Sequence, residues 1–156
     1  MALEYPNHIP IVEGRKWTTP KTDWNENDKF NIWDYSRIID NILYIQAVIH
    51  FLDKKYKIID MGDKVTYETL YYPKRFNHIE VTLEKINDYL IQANIGETQI
   101  FRSNGVFIDW QELNRIEGVS LMLFEHVVNW YNARRMLPVL LNVNFKNSFF
   151  NLTPNG

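Results

Sequence analysis

A stripe of apolar residues at alternating spacings of three and four occurs three times along the chain, and no other feature restricts its fold as much. Aligned on Arg37, His78 and Arg115, the first stripe is Tyr35, Ile38, Ile42, Ile45 and Ile49. The second is Phe76, Ile79, Leu83, Ile86 and Leu90, and the third is Leu113, Ile116, Ser120, Leu123 and Val127. Such spacing puts a set of side chains on one face of an α-helix. Only Ser120 interrupts it. Each stripe opens on a short motif: Tyr35-Ser36-Arg37-Ile38-Ile39, Phe76-Asn77-His78-Ile79-Glu80 and Leu113-Asn114-Arg115-Ile116-Glu117. The aligned positions lie 41 and 37 residues apart. A repeat near that length, in which one helix cannot bury its stripe alone, implies helices stacked around a shared core. The expected fold is mainly α, a three-helix bundle built from a threefold helical repeat, with helices near 32–55, 73–93 and 109–136.

The ends of these helices carry recognisable signals. Asn31 suits an N-cap, with Asp34 in the first turn and Lys54 and Lys55 at the other end. Pro73 fits the first turn of the second helix, and Gly96 suits a left-handed stop after it. Asp109 and Glu112 have capping-box spacing at the start of the third helix, and Pro138 is expected to end it. Ile100-Phe101-Arg102-Ser103-Asn104-Gly105-Val106-Phe107-Ile108 reads as a short β-hairpin around an Asn-Gly turn. Residues 65–72 alternate weakly, as a short strand or a loop. Three prolines in the first 20 residues exclude a long helix there. The expected organisation is an extended N-terminal arm over 1–30, a helical domain over 31–137 with its hairpin near 100–108, and an extended C-terminal arm over 138–156. Trp17 and Trp24 in one arm, and Phe149 and Phe150 in the other, are the candidate interface residues. Both arms are expected to make much of their contact with other chains.

At 156 residues and 46% apolar, with a net charge of −2, the chain fits one folded domain. Near balance of charge argues against a nucleic-acid partner, which needs a clustered cationic face. Cysteine is absent, which removes disulfides, thiolate nucleophiles and cysteine-based zinc sites. No apolar run approaches membrane-spanning length, and no secretion signal opens the chain.

Little in the sequence points to catalysis. His8, His50, His78 and His126 lack metal-ligand spacing, and His50 with Asp53 is a pair at best. Glu80 and Glu117 occupy equivalent motif positions and could converge on a cation, but Ile39 stands at the third. There is no glycine-rich phosphate loop and no nucleophile elbow. Arg37, His78 and Arg115 recur with the core itself. They read either as forks that fix the incoming loop or as a partner-binding row. Ser36, Asn77 and Asn114 suit backbone bonding near a helix start. No cofactor, metal or small-molecule substrate is expected, and the repetition of near-identical polar groups suits a scaffold, because acid, base and nucleophile differ in role.

At these residues the chain resembles structural proteins of tailed phages and prophages. The resemblance is carried by Pro20-Lys21-Thr22-Asp23-Trp24, then Asp28, Phe30 and Asp34-Tyr35-Ser36-Arg37-Ile38, and by the helix motif Asn114-Arg115-Ile116-Glu117. The first motif copy departs at Ser36 and Ile39, the second at His78. The resemblance implies a non-enzymatic tail, baseplate or fibre-associated protein of the virion. Its implied partners are copies of itself and other virion proteins. The alternative is a small helical binding or assembly-chaperone module.

Overall fold

The structure, a computed structural model, describes residues 8–150 apart from Val106, with side chains through Leu137. Three helices account for most of it: α1 (Ile32–Leu52), α2 (Pro73–Leu90) and α3 (Trp110–Phe150). Asn31 caps α1 by accepting from the Trp33 and Asp34 N–H groups at 2.8 and 3.3 Å, while Asp34 accepts from the Asn31 N–H at 3.1 Å. This is a capping box made from Asn and Asp.

The helices share one core. Ile38, Ile79 and Ile116 are 1%, 0% and 0% exposed and belong to a single apolar cluster, together with Ile45, Ile86 and Leu123. Ser120, at the broken stripe position, is buried and donates to its own helix at the Ile116 carbonyl, 3.1 Å away. Its hydroxyl is therefore satisfied without a partner element.

All three helices point the same way. Arg37 meets Glu117, Tyr44 meets Phe124 and Phe51 meets Tyr131, so α1 and α3 run in parallel with a constant offset. Tyr35 meets Phe76 at one end of α2, and the Asp53 and Tyr56 side chains meet Tyr89 at the other. Parallel helices cannot be joined by short turns. Each connection must travel back along the bundle, which is why residues 53–72 and 91–109 are irregular and long.

Each return segment has backbone held by amide side chains of the helices. Asn77 Nδ2 donates to the Phe101 carbonyl at 2.9 Å, and Asn77 Oδ1 accepts the Phe101 N–H at 2.7 Å. Asn87 does the same for Ala93, and Gln46 for Ile59. One amide thus replaces the strand neighbour that an extended residue would otherwise require. Gln46 is 0% exposed and also accepts the Tyr56 hydroxyl at 3.0 Å. Gln46→Leu is expected to cost about 2–3 kcal/mol in chemical denaturation, because it strands these buried groups. A loss below about 1 kcal/mol would show that the clamp adds little.

Several sequence expectations need correction. The helix over 32–55 stops at Leu52, where Asp53 leaves the helical region as C-cap. The helix over 73–93 ends at Leu90, because Asn87 takes over the backbone of Ala93 and the left-handed residue is Gln92, with φ 51°. Gly96 is left-handed too, with φ 82°, but inside the return segment. There a Cβ would come within 3.0 Å of Arg115 Cδ, so glycine is needed for the close approach. No strand forms among the described residues. Ser103-Asn104-Gly105 does turn, with the Gly105 N–H donating to Arg102, but the backbone of Phe101 is already engaged by Asn77 and cannot enter a hairpin ladder. Of the two readings of residues 65–72, the loop is the one that forms, with turns over 67–71.

Pro138 does not end α3, and the C-terminal arm is not extended over 139–150, where the backbone is helical. A lone proline removes one ladder bond, and the Val139-Leu140-Leu141 that follows offers no capping residue to turn the chain. Residues 151–156, and the side chains of Phe149 and Phe150, lie outside what is described. No described helix is long and apolar enough to cross a membrane.

Candidate functional site

The N-terminal arm, expected to seek other chains, is packed on its own helices. It runs opposite to them, lying between α1 and α3. The Pro10 carbonyl accepts from Tyr44 at 2.5 Å, and Asn41 clamps Thr18 at both its N–H and its carbonyl. Trp17 stacks on Phe124 with centroids 3.8 Å apart and ring planes 3° from parallel. Trp24 is 4% exposed. The apolar content read as interface is thus used within the chain, because the parallel helices leave grooves that an extended segment must fill.

The arm ends on the most densely bonded residue of the motif. Glu117 is 1% exposed, and its carboxylate accepts four hydrogen bonds. Arg37 supplies two, from Nε at 3.1 Å and Nη2 at 2.6 Å. The Lys21 N–H and the Trp24 indole N–H supply the others, each at 2.9 Å. Next to it, Asn114 accepts the Trp24 N–H at 2.8 Å and donates to its carbonyl at 2.9 Å. Arg37 is completed by Asp34 at 2.9 Å and lies 5.9 Å from the Trp24 ring. Bidentate, charge-assisted geometry of this kind fixes position as well as adding energy.

A second junction has the same members. Arg115 bonds Glu80, which is 2% exposed, and also reaches Glu112 at 2.8 Å and the Ile95 carbonyl at 3.4 Å. Asn77 clamps Phe101 as Asn114 clamps Trp24. Glu80 has no indole or backbone N–H comparable to those at Glu117. Burial pushes its carboxyl up to about 7, against the opposing pull of Arg115, with Glu112 and Glu84 adding to the rise.

That shift has a sign. Between about pH 4.5 and 7 the native state keeps a proton that the unfolded chain has released. The contribution is therefore whole below about 4.5 and is lost as pH rises through 7. Stability is expected to fall by roughly 2–3 kcal/mol across this window on account of Glu80. Glu80→Gln, which stays neutral, should flatten the slope by that amount in denaturant titrations at pH 5 and 7.5. An unchanged slope would count against a buried carboxyl of this kind.

The third set of motif positions makes no such junction. Ser36 replaces the clamping Asn, Ile39 replaces the carboxylate, and His78 replaces the arginine. The His78 ring instead bonds the Asp60 carbonyl at 2.6 Å. A cleft of about 400 Å³ lies here, lined by Ser36, Ile39 and Leu43 of α1 and by Met61 and Val65 of the return segment.

Glu80 and Glu117 do not converge on one point, since each carboxylate faces its own arginine. No group of three or more His, Asp or Glu placed to hold a metal occurs among the described residues. Arg37 forks onto the Glu117 and Asp34 carboxylates, and Arg115 onto Glu80 and Glu112 with a further bond to the Ile95 carbonyl of the return segment. Sequence reasoning missed Asn41, Gln46 and Asn87. The signal was there, an amide inside an apolar run such as Ile45-Gln46-Ala47-Val48, whose buried side chain must find backbone to bond. No family model matches this sequence, and no curated protein or solved structure is significantly similar to it.

Proposed function

We propose that the chain is a non-enzymatic structural component of a phage tail, baseplate or tail-like particle, present in several copies and residing in the virion. We also propose that it is a threefold repeat of one unit, an extended segment followed by a helix. The observation that carries this reading is at Glu117. The two motifs on which the resemblance rests, Pro20-Lys21-Thr22-Asp23-Trp24 and Asn114-Arg115-Ile116-Glu117, bond one another there. Their side chains are engaged in holding an extended segment to two helices, which is a scaffold's use of a motif.

The repeat draws support from the order of the pairs. Arg37 of the first copy reaches Glu117 of the third, and Arg115 of the third reaches Glu80 of the second. The remaining link would join His78 to Ile39, and there both charged partners are replaced together. Exposed Trp33 and Tyr67, at 77% and 71%, favour the alternative of a binding or assembly-chaperone module. Gold-labelled antibody against the chain, applied to finished particles from the producing culture, separates the two. Labelling of particles is expected. Labelling of unassembled precursors alone would indicate the chaperone, and labelling of neither would sink both readings.

A further inference from the structure

We infer that the cleft at the third set of motif positions binds a free aromatic amino acid, held as a zwitterion and left unchanged. The inference rests on the threefold repeat proposed above, which identifies what this cleft lacks. Trp24 stands 13 residues before Arg37, and Phe101 stands 14 before Arg115. Each is clamped at both backbone groups by an asparagine, of α3 for Trp24 and of α2 for Phe101. Each packs its ring against the core at that junction. The same count before His78 falls on Lys64 and Val65. Both line the cleft together with Ser36, the residue in the clamping place. No ring enters here from the chain's own segment, and about 400 Å³ stays open. Small-ligand sites have volumes of about 300–1,000 Å³.

The walls set the body of the ligand. Ile39 stands where the other copies carry Glu80 and Glu117, so an apolar surface replaces a carboxylate. With Leu43, Met61 and Val65 it forms a slot, and Tyr35 lines the same space at 4% exposure. Tyr35 is the repeat equivalent of Phe76, which Phe101 meets edge-on at 6.0 Å. A bound ring is expected to meet Tyr35 in the same way. The rim sets the charge. Arg15 and Lys64 bring positive charge, Asp40 and Asp63 bring negative, and all four are exposed and line the cleft. None of them is in an ion pair among the described residues. A rim of both signs fits an ammonium and a carboxylate on one small molecule. An anion alone would face the two aspartates, and like charges brought together cost binding.

The test uses the full chain in calorimetric titrations with L-tryptophan, L-tyrosine and L-phenylalanine. Saturable one-to-one binding of at least one is expected. The N-acetylated amide of the tightest binder keeps the ring without either charge, and it should bind roughly tenfold more weakly or worse. Arg15→Gln and Asp40→Asn should each weaken binding by roughly fivefold or more, with the thermal melt unchanged. Val65→Trp supplies the absent ring from within the chain, so it should raise Tm and abolish binding. No binding by any of the three amino acids overturns the inference. So does binding that both rim variants leave intact. An amide that binds as tightly as its parent overturns it too, because the site would then take an aromatic residue within a peptide. If Val65→Trp lowers Tm while the parent chain binds and the rim variants do not, the repeat fails and the site stands. If it raises Tm and no amino acid binds the parent, the repeat stands and the site falls.

Discussion

Glu117→Ala is expected to lower the stability of the chain by about 3–5 kcal/mol, the cost of breaking a buried ion pair by removing one partner. For a domain of this size that is a fall in Tm of the order of 10 °C. The loss exceeds that of an ordinary ion pair because Glu117 serves three elements. Its removal leaves the Arg37 fork with Asp34 alone, and it strands the Lys21 N–H and the Trp24 indole N–H. Trp24 fluorescence should report early release of the arm, since two of the bonds that hold this indole and its segment end on this carboxylate. Replacing both partners, with Arg37→Leu and Glu117→Leu, removes the uncompensated charge and should recover part of the loss. The indole and amide donors stay unpaired, so recovery should be incomplete. A single-variant loss under about 1 kcal/mol would mean that water replaces the carboxylate at little cost, and the lock would be no lock.

The stripes made the helices readable from sequence, since their period is set by the backbone and their burial by the need for a partner. Ile38, Ile79 and Ile116 sit in one core for that reason. Helix direction was not readable. A stripe is the same whether its neighbour is parallel or antiparallel, and the local signals in the long connections are those of a strand or loop and of a hairpin, with none that marks a return path. The hairpin failed at Phe101, where a local Asn-Gly turn signal was right but the backbone it needed was bonded by a side chain 24 residues away. The N-terminal arm failed similarly. Trp17 and Trp24 showed that something must be covered, and nothing local showed that the groove lay between α1 and α3. At the motif, residue types left forks and a partner-binding row both open, and the pairing of Arg37 with Glu117 spans 80 residues and carries no local trace.

Phe76→Ala is expected to cost about 3–5 kcal/mol, the range for removing a buried phenylalanine. Phe76 is 1% exposed and joins parts of the chain that the helical stripes do not. Its ring lies 5.9 Å from Tyr35 on α1, 5.8 Å from Phe30 at the end of the arm, and 6.0 and 5.4 Å from Phe101 and Phe107 beside the Asn-Gly turn. Three of these contacts are edge-to-face, a geometry that adds roughly 0.5–1.5 kcal/mol per pair beyond buried area. Phe76→Leu separates the two contributions. It keeps much of the volume and gives up the edge-to-face contacts, so its cost should be smaller, about 1–2 kcal/mol. Amide hydrogen exchange should localise the damage. Residues 99–105 and Phe107 pack around Asn77 and this aromatic cluster, so they should lose protection in Phe76→Ala before the α1–α3 seam does. Equal loss across α1 and α3 would mean that Phe76 supports the whole core evenly. In that case the return segment ahead of α3 owes its position to the amide clamp alone.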